Sequence, residues 1–362
     1  MQFAKNQTIH QKNKTPRFFP QHHLDLTVNS KPKIYIPRPN FPEVIKRLES
    51  HFEVVHNQDD QVVTKEHFFL QASNADGLLT TGSDVINAEL LSACPRLKIC
   101  ANMAVGFNNF DLQSMSQAGV LATNTPDVLT QTTADFGFAL LMACSRRLVE
   151  SEHFLRDHQW KQWRFDLMAG HDVHGSTLGI IGMGRIGQAV ARRASKGFDM
   201  KVIYHNRSVL DSSIERECGA QWVQLETLLS TSDHVMLVLP YSPQAYHMIG
   251  HKELSLMKPG AHLINIARGG LIDEDALVDA LERGHLGGAA LDVFEGEPQV
   301  NPRLLTQKRV VLTPHIASST LQTRLKMSNL AADNLIEYFA HQKAITPLNP
   351  EVLEKLKSRS HD

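Results

Sequence analysis

An arginine, a glutamate and a histidine each follow a short apolar run in the second half of this 362-residue chain: Arg268 after INIA, Glu297 after LDVFEG and His315 after VVLTP. If those runs are parallel strands, all three side chains stand at carboxyl ends, where open α/β sheets place their ligand contacts. The residue types suit the reduction of a 2-keto acid. An arginine can hold the carboxylate and keto oxygen with its planar fork of donors. A histidine can give a proton to the keto oxygen as hydride reaches carbon. A glutamate on the other ring nitrogen would orient the imidazole and favour its protonated form. Taken singly, Arg268 reads as well as a helix cap, Glu297 as a solvated loop charge and His315 as a satisfied histidine beneath a turn. Their placement after successive strands is what joins them.

Such a site needs a hydride donor, and residues 177–187, TLGIIGMGRIG, offer a place for one. Gly182, Gly184 and Gly187 fall at the G-x-G-x-x-G spacing after an apolar run. The first glycine allows the tight turn, the second lets a pyrophosphate approach the backbone, and the third lets the next helix pack on the sheet. Alone, the spacing is equally that of an ordinary strand-to-helix turn. Residues 188–195 read as helix and KVIYH at 201–205 as a second strand, which completes the β-α-β unit the fingerprint requires. Cofactor contacts are expected from Gly182, Gly184, Arg185, Ile186 and Gly187. About 20 residues beyond the fingerprint, NAD sites place a carboxylate for the ribose hydroxyls. Here the chain reads His205, Asn206, Arg207, Ser208, so a 2′-phosphate could pair with Arg207 and accept from Asn206 and Ser208. NADPH is the expected cofactor, with Arg207 stacked on the adenine of NADH as the alternative.

These residues need a scaffold of parallel strands. From residue 33 the chain alternates short β-type runs (33–37, 53–56, 77–81, 98–103, 120–124) with helical stretches, the rhythm of an α/β domain. A helix is expected over about 130–158, with Ala134, Phe138, Leu141 and Leu148 on one face, more apolar than one packing surface requires. A second α/β series starts at residue 177 and runs through 235–240, 262–266, 289–293 and 310–314. Ser318, Ser319 and Thr320 then look like helix N-cap residues, and Leu321, Leu325, Ala332, Leu335, Ile336 and Phe339 share a face of the helix that follows. That helix should return the chain to the first domain. The expected fold is therefore α/β with two Rossmann-like parallel sheets: a discontinuous substrate domain, 31–125 plus 319–350, and an inserted dinucleotide-binding domain, 126–318. Residues 1–30 and 351–362 read as tails, with organelle targeting the alternative for the first.

Composition narrows the function classes. A formal net charge of −1 gives no general attraction to nucleic acid or an acidic membrane surface. No apolar run approaches the roughly 20 residues of a membrane span. Cys94, Cys100, Cys144 and Cys218 show neither C-x-x-C nor metal-ligand spacing and read as buried thiols of a cytoplasmic protein, with no metal expected. The 19 histidines are scattered, and most are expected at the surface.

The runs GIIGMGRIG, NIARGGLIDEDAL, AALDVFEGEP and TPHIASST, with AVGFNNFD at 104–111 and TPDVLTQTTADFGFAL at 125–140, resemble the signature segments of the D-isomer-specific 2-hydroxyacid dehydrogenases. The resemblance spans residues 33–350 and is strongest to the glyoxylate/hydroxypyruvate and 2-ketogluconate reductases. It implies that Arg268, Glu297 and His315 are catalytic and that Asp292 holds the nicotinamide carboxamide. It further implies that the backbone of Ala104, Val105 and Gly106 cradles the substrate carboxylate, a role suited to a glycine-bearing loop with free N–H donors. Pro240 and Ala267, closing two further runs, complete the expected cofactor contacts. A homodimer formed largely through the nucleotide domain is also implied, as is a substrate pocket shaped around Trp160, Trp163 and Arg164 of the partner. Ala317, Ser318 and Ser319 stand where many members have glycine, serine and alanine. Phosphoglycerate dehydrogenase is disfavoured by the short stretch after Pro350, and formate dehydrogenase by the presence of Glu297. Two alternatives stay open: an NAD-dependent D-2-hydroxyacid dehydrogenase, and a nucleotide-sensing corepressor of the same fold.

Overall fold

The structure is a computed structural model that describes residues 31–59, 61 and 63–359. The expected tail at 1–30 lies outside the described residues, as do residues 360–362. Twelve described strands form two sheets, every pair parallel. The first contains β1 (Lys33–Ile36), β2 (Glu53–His56), β3 (Gly77–Thr80), β4 (Ile99–Asn102) and β5 (Leu121–Thr123), in the order β2-β1-β3-β4-β5. The second contains β6 (Thr177–Ile181), β7 (Lys201–His205), β8 (Ala220–Trp222), β9 (His234–Leu237), β10 (His262–Asn265), β11 (Gly288–Leu291) and β12 (Val310–Leu312), in the order β12-β11-β10-β9-β6-β7-β8. Both are doubly wound orders. In the second the direction of winding reverses between β6 and β9, so the crevice at that switch point opens beside the glycine loop.

Strands covered on both faces must be apolar on both, and the inner strands of each sheet largely are, whereas the edge strands β2 and β8 are only partly buried. In the first sheet Ile34, Ile36, Leu79, Ile99, Ala101 and Leu121 face one core, while Tyr35, Leu78, Cys100 and Ala122 face the other. The second sheet divides likewise, with Ile181, Val235, Leu237, Leu263 and Leu291 on one side and Leu178, Ile180, Met236, Ile264 and Ala290 on the other. This alternation is the two-residue period of the pleat. All four cysteines are buried and free.

The helix Leu321–His341 starts at Thr320, whose hydroxyl accepts from Thr323 N at 3.3 Å, and packs on β3, β4 and the helix Pro42–His51. It thus carries the chain back to the first sheet. Leu321 does not share its core face, being 75% exposed, because contact with the first sheet's core begins a turn later at Leu325 and continues through Ala331, Ala332 and Leu335. The helix expected over 130–158 is two helices. Thr130–Ser145 stops at Arg146, and Arg147 takes a left-handed conformation (φ 51°) before Leu148–Arg156 begins, its guanidinium paired with Glu150. Only the first helix is apolar inside the chain: Ala134, Phe138 and Leu141 pack into the second sheet's core. The surplus apolar surface lies in the second helix and the loop after it, at Leu148, Val149, Leu155, Trp160, Trp163 and Phe165. Nor are residues 351–362 wholly a tail. Glu351–Arg359 is helical after Pro350, with Val352 buried and Leu353 and Leu356 packed on the first sheet's core.

Candidate active site

At the end of β12 the backbone turns at His315, which adopts φ 53°. A non-glycine residue there must be held, and Asp292, just past β11, does most of the holding. Its backbone carbonyl accepts from His315 N at 2.9 Å. Its carboxylate, fully buried, accepts from Thr313 Oγ1 (2.6 Å), Ile316 N (2.9 Å) and Ala317 N (2.8 Å). Ala317 fits the turn without glycine, buried and bonded through its N–H. Burial pushes the Asp292 carboxyl above its usual range against the pull of these donors and of His315. Arg324, on the returning helix, faces Asp292 as a countercharge.

The imidazole of His315 meets Glu297 through Nδ1, 2.7 Å from Oε2, leaving Nε2 as the atom able to exchange a proton with a ligand. Glu297 Oε1 accepts from Phe294 N at 2.8 Å, which fixes the carboxylate in the plane the ring needs. Burial alone would raise this carboxyl. The His315 hydrogen bond and charge, with Phe294 N and Arg268, outweigh it and hold Glu297 below the usual range, so it stays ionised at neutral pH.

Arg268 leaves the end of β10, where Asn265 accepts from Ala267 N (3.0 Å) and donates to Arg268 O (2.9 Å). Desolvation lowers its pKa, partly offset by Glu297. Its guanidinium reaches across to the loop after β4: Nε donates to Asn108 Oδ1 at 2.9 Å and Nη1 to the Ala267 carbonyl at 2.6 Å. Nη2 lies so close to Gly106 that a Cβ there would sit 1.8 Å from it. Glycine at 106 is the condition for the arginine to approach the loop.

That loop is built to present N–H groups. The carbonyls of Ala104, Val105 and Gly106 are all occupied, by Thr125 N (2.9 Å), Asn124 Nδ2 (2.8 Å) and Asn102 Nδ2 (3.2 Å). The N–H groups of the same three residues have no acceptor among the described residues. A row of free donors beside a guanidinium has the chemistry to receive an anion.

The glycine loop likewise has the shape its spacing predicts. Gly182 has φ 102°, and a Cβ on Gly187 would lie 2.3 Å from the Gly182 carbonyl oxygen, whereas one on Gly184 would meet only open space. The helix Arg185–Gly197 begins there with no side-chain cap, its first N–H groups and positive dipole end free for an anion. Arg185 pairs with Asp127 at 2.7 Å, while Ile186 lies half-buried. At the end of β7, Asn206 Oδ1 accepts from Met183 N (2.7 Å), so its NH₂ is the group left to donate outward. Arg207 and Ser208 are exposed and have no side-chain partner among the described residues. Pro240 and Ala267 lie beyond the ends of the neighbouring strands β9 and β10.

The residues expected to act together therefore meet: Arg268, Glu297, His315 and the loop 104–106. The asparagines that hold them, Asn102, Asn108, Asn124 and Asn265, were not foreseen, although AVGFNNFD displays Asn108 next to the loop it serves.

The family model described as the NAD-binding domain of the D-isomer-specific 2-hydroxyacid dehydrogenases matches residues 138–317. A glyoxylate reductase of Thermococcus onnurineus is 45% identical over 331 residues, 90% of this chain and 98% of that protein. One from Pyrococcus horikoshii is 44% identical over 329 residues, 90% and 98% of the two chains. Among solved structures, an NADPH-dependent glyoxylate/hydroxypyruvate reductase of Sinorhizobium meliloti, in complex with NADP and malonate, superposes with a TM-score of 0.77 at 34% identity, covering 88% of this chain and 97% of that one. With strand orders, glycine loop and the Arg268, Glu297, His315 arrangement on the same scaffold, the chain belongs to the D-isomer-specific 2-hydroxyacid dehydrogenases.

Proposed function

We propose that the protein reduces small 2-keto acids, glyoxylate, hydroxypyruvate or 2-ketogluconate, to D-2-hydroxy acids with NADPH as the preferred donor. The observation that carries this reading is the row of free N–H groups at residues 104–106 beside Arg268 Nη2, the same arginine whose charge acts on the His315-bound Glu297. The loop and Arg268 bind the carboxylate, and Arg268 also polarises the keto oxygen. His315 gives that oxygen a proton from Nε2, and Glu297 balances the imidazolium from the far side. Bound dihydronicotinamide supplies the hydride. Gly182, Gly184, Arg185, Ile186 and Gly187 would hold its pyrophosphate, with Pro240 and Ala267 lining the path to the reacting ring. Asp292, with three bonds to the turn, keeps one carboxylate lone pair for the carboxamide. The substrate domain is read as residues 31–125 with 319–350, to which the packed helix Glu351–Arg359 is added, and the nucleotide domain as 126–318.

NADPH is favoured by Arg207, exposed and unpaired at the end of β7 beside the Ser208 hydroxyl and the Asn206 NH₂, with no carboxylate to repel a phosphate. Steady-state reduction of glyoxylate and hydroxypyruvate with each cofactor tests both halves of the reading. Turnover is expected with a higher kcat/KM for NADPH, and Arg207→Ala should lower the NADPH value roughly tenfold or more while leaving NADH nearly unchanged. An NADH value equal to or above that for NADPH overturns the preference. Tight cofactor binding without turnover of any keto acid overturns the enzyme. We further propose a cytoplasmic homodimer joined through the exposed Leu148, Val149, Leu155, Trp160, Trp163 and Phe165, which sedimentation would show as twice the chain mass.

A further inference from the structure

Arg268 has five N–H groups, and the structure accounts for two of them: one on Nε to Asn108 and one on Nη1 to the Ala267 carbonyl. Those two bonds leave both hydrogens of Nη2 facing the loop at Gly106. The Ala267 bond is local and would survive many orientations of the fork. The Asn108 bond comes from the other sheet, 160 residues away in sequence, from the loop that carries the free N–H row. It is therefore the contact that registers the guanidinium against the carboxylate cradle.

The loop, in turn, is firmly seated. The neighbouring Asn109 is buried and donates to Thr81 O (3.1 Å) and Asp84 O (2.8 Å), while Asn102 bridges Asn109 Oδ1 (3.2 Å) and Gly106 O (3.2 Å). Asn108 thus projects from a rigid base, and its amide oxygen is a neutral acceptor. A neutral acceptor orients the arginine without neutralising it, so the positive charge stays available to an incoming carboxylate.

We propose that Asn108 is the positioning residue of this active site: by accepting from Arg268 Nε it aims Nη2 at the substrate carboxylate, and so sets keto-acid affinity and turnover without touching the cofactor. The proposal rests on the reading of Arg268 as the substrate clamp. The test is steady-state reduction of glyoxylate by the full-length chain carrying Asn108→Ala, Asn108→Gln or Arg268→Ala, with NADPH affinity measured separately by quenching of its fluorescence. Asn108→Ala should lower kcat/KM for glyoxylate at least tenfold, chiefly through KM, with NADPH affinity and thermal midpoint unchanged. Asn108→Gln keeps a neutral amide acceptor on a longer arm and should recover part of the loss in KM. An Asn108→Ala enzyme with wild-type kinetics, alongside a crippled Arg268→Ala enzyme, overturns the proposal and leaves the clamp standing. So does an Asn108→Gln enzyme as impaired as the alanine variant. Wild-type kinetics in Arg268→Ala would instead remove the clamp itself, and the proposal with it.

Discussion

Replacing His315 by alanine should lower kcat for keto-acid reduction by about 10²–10⁴-fold while NADPH affinity stays near wild type, since in the proposed reaction the ring gives the proton and, among the described residues, it bonds to nothing in the glycine loop. The left-handed backbone at His315 makes the choice of variant matter. Asparagine tolerates that conformation better than alanine, so His315→Asn removes the acid with less strain and should be equally slow. Glu297→Gln tests a different part of the pair. The amide oxygen can still accept from Nδ1, but the charge that balances the imidazolium is gone. Its kcat should fall by less than in the His315 variants, because the ring stays oriented while its counterion is lost. Unchanged kcat in both His315 variants would mean that another group delivers the proton.

How much of this site could be read from residues alone follows from range. The glycine loop is local: three glycines, a strand before and a helix after, so Gly182, Gly184 and Gly187 declare themselves within one β-α-β unit. Arg268, Glu297 and His315 were legible because each closes an apolar run and a parallel sheet aligns such ends. Asn108 closes nothing, and its partner lies in the other sheet, so no spacing announces it. The break at Arg147 was invisible for another reason. Neither glycine nor proline marks it, and an arginine in the left-handed region is held there by its surroundings rather than by local propensity. The helix Glu351–Arg359 was missed because its polar residues outweigh Val352, Leu353 and Leu356, whose common face makes sense only once the first sheet's core is there to receive it.

Two buried histidines give the second large effect, a loss of stability in mild acid. His234 and His262 are directly paired across β9 and β10, 0% and 2% exposed, with rings stacked at 5.1 Å. His234 Nδ1 meets Ser145 Oγ at 3.3 Å, but among the described residues His234 Nε2 and His262 Nδ1 have no hydrogen-bond partner of good geometry, the backbone of Asp172 and of Asp233 only weakly favouring the charged rings. His171 lies edge-on to His262 at 4.9 Å, and Lys258 and Arg309 add positive charge, with Asp233 the one acid that favours protonation. Burial first, then these neighbouring cations, lower His234 to about 4 and His262 to about 3 from an ordinary 6.5. Both are therefore neutral in the folded chain and readily charged in the unfolded one. A base whose folded pKa is depressed leaves stability intact above the unfolded value. The loss begins as pH falls below 6.5 and stops growing near the folded values. At pH 5 each ring should cost about 2 kcal/mol, about 4 kcal/mol together, against a typical total of roughly 5–15 kcal/mol. Urea midpoints of the wild type should drop steeply between pH 7.5 and 5. In a His234→Leu, His262→Leu double variant the drop should shrink by most of that amount, and stability at pH 7.5 should hold or rise, because two unsatisfied ring nitrogens leave the interior. Equal acid losses in the two proteins would place the sensitivity elsewhere in the fold.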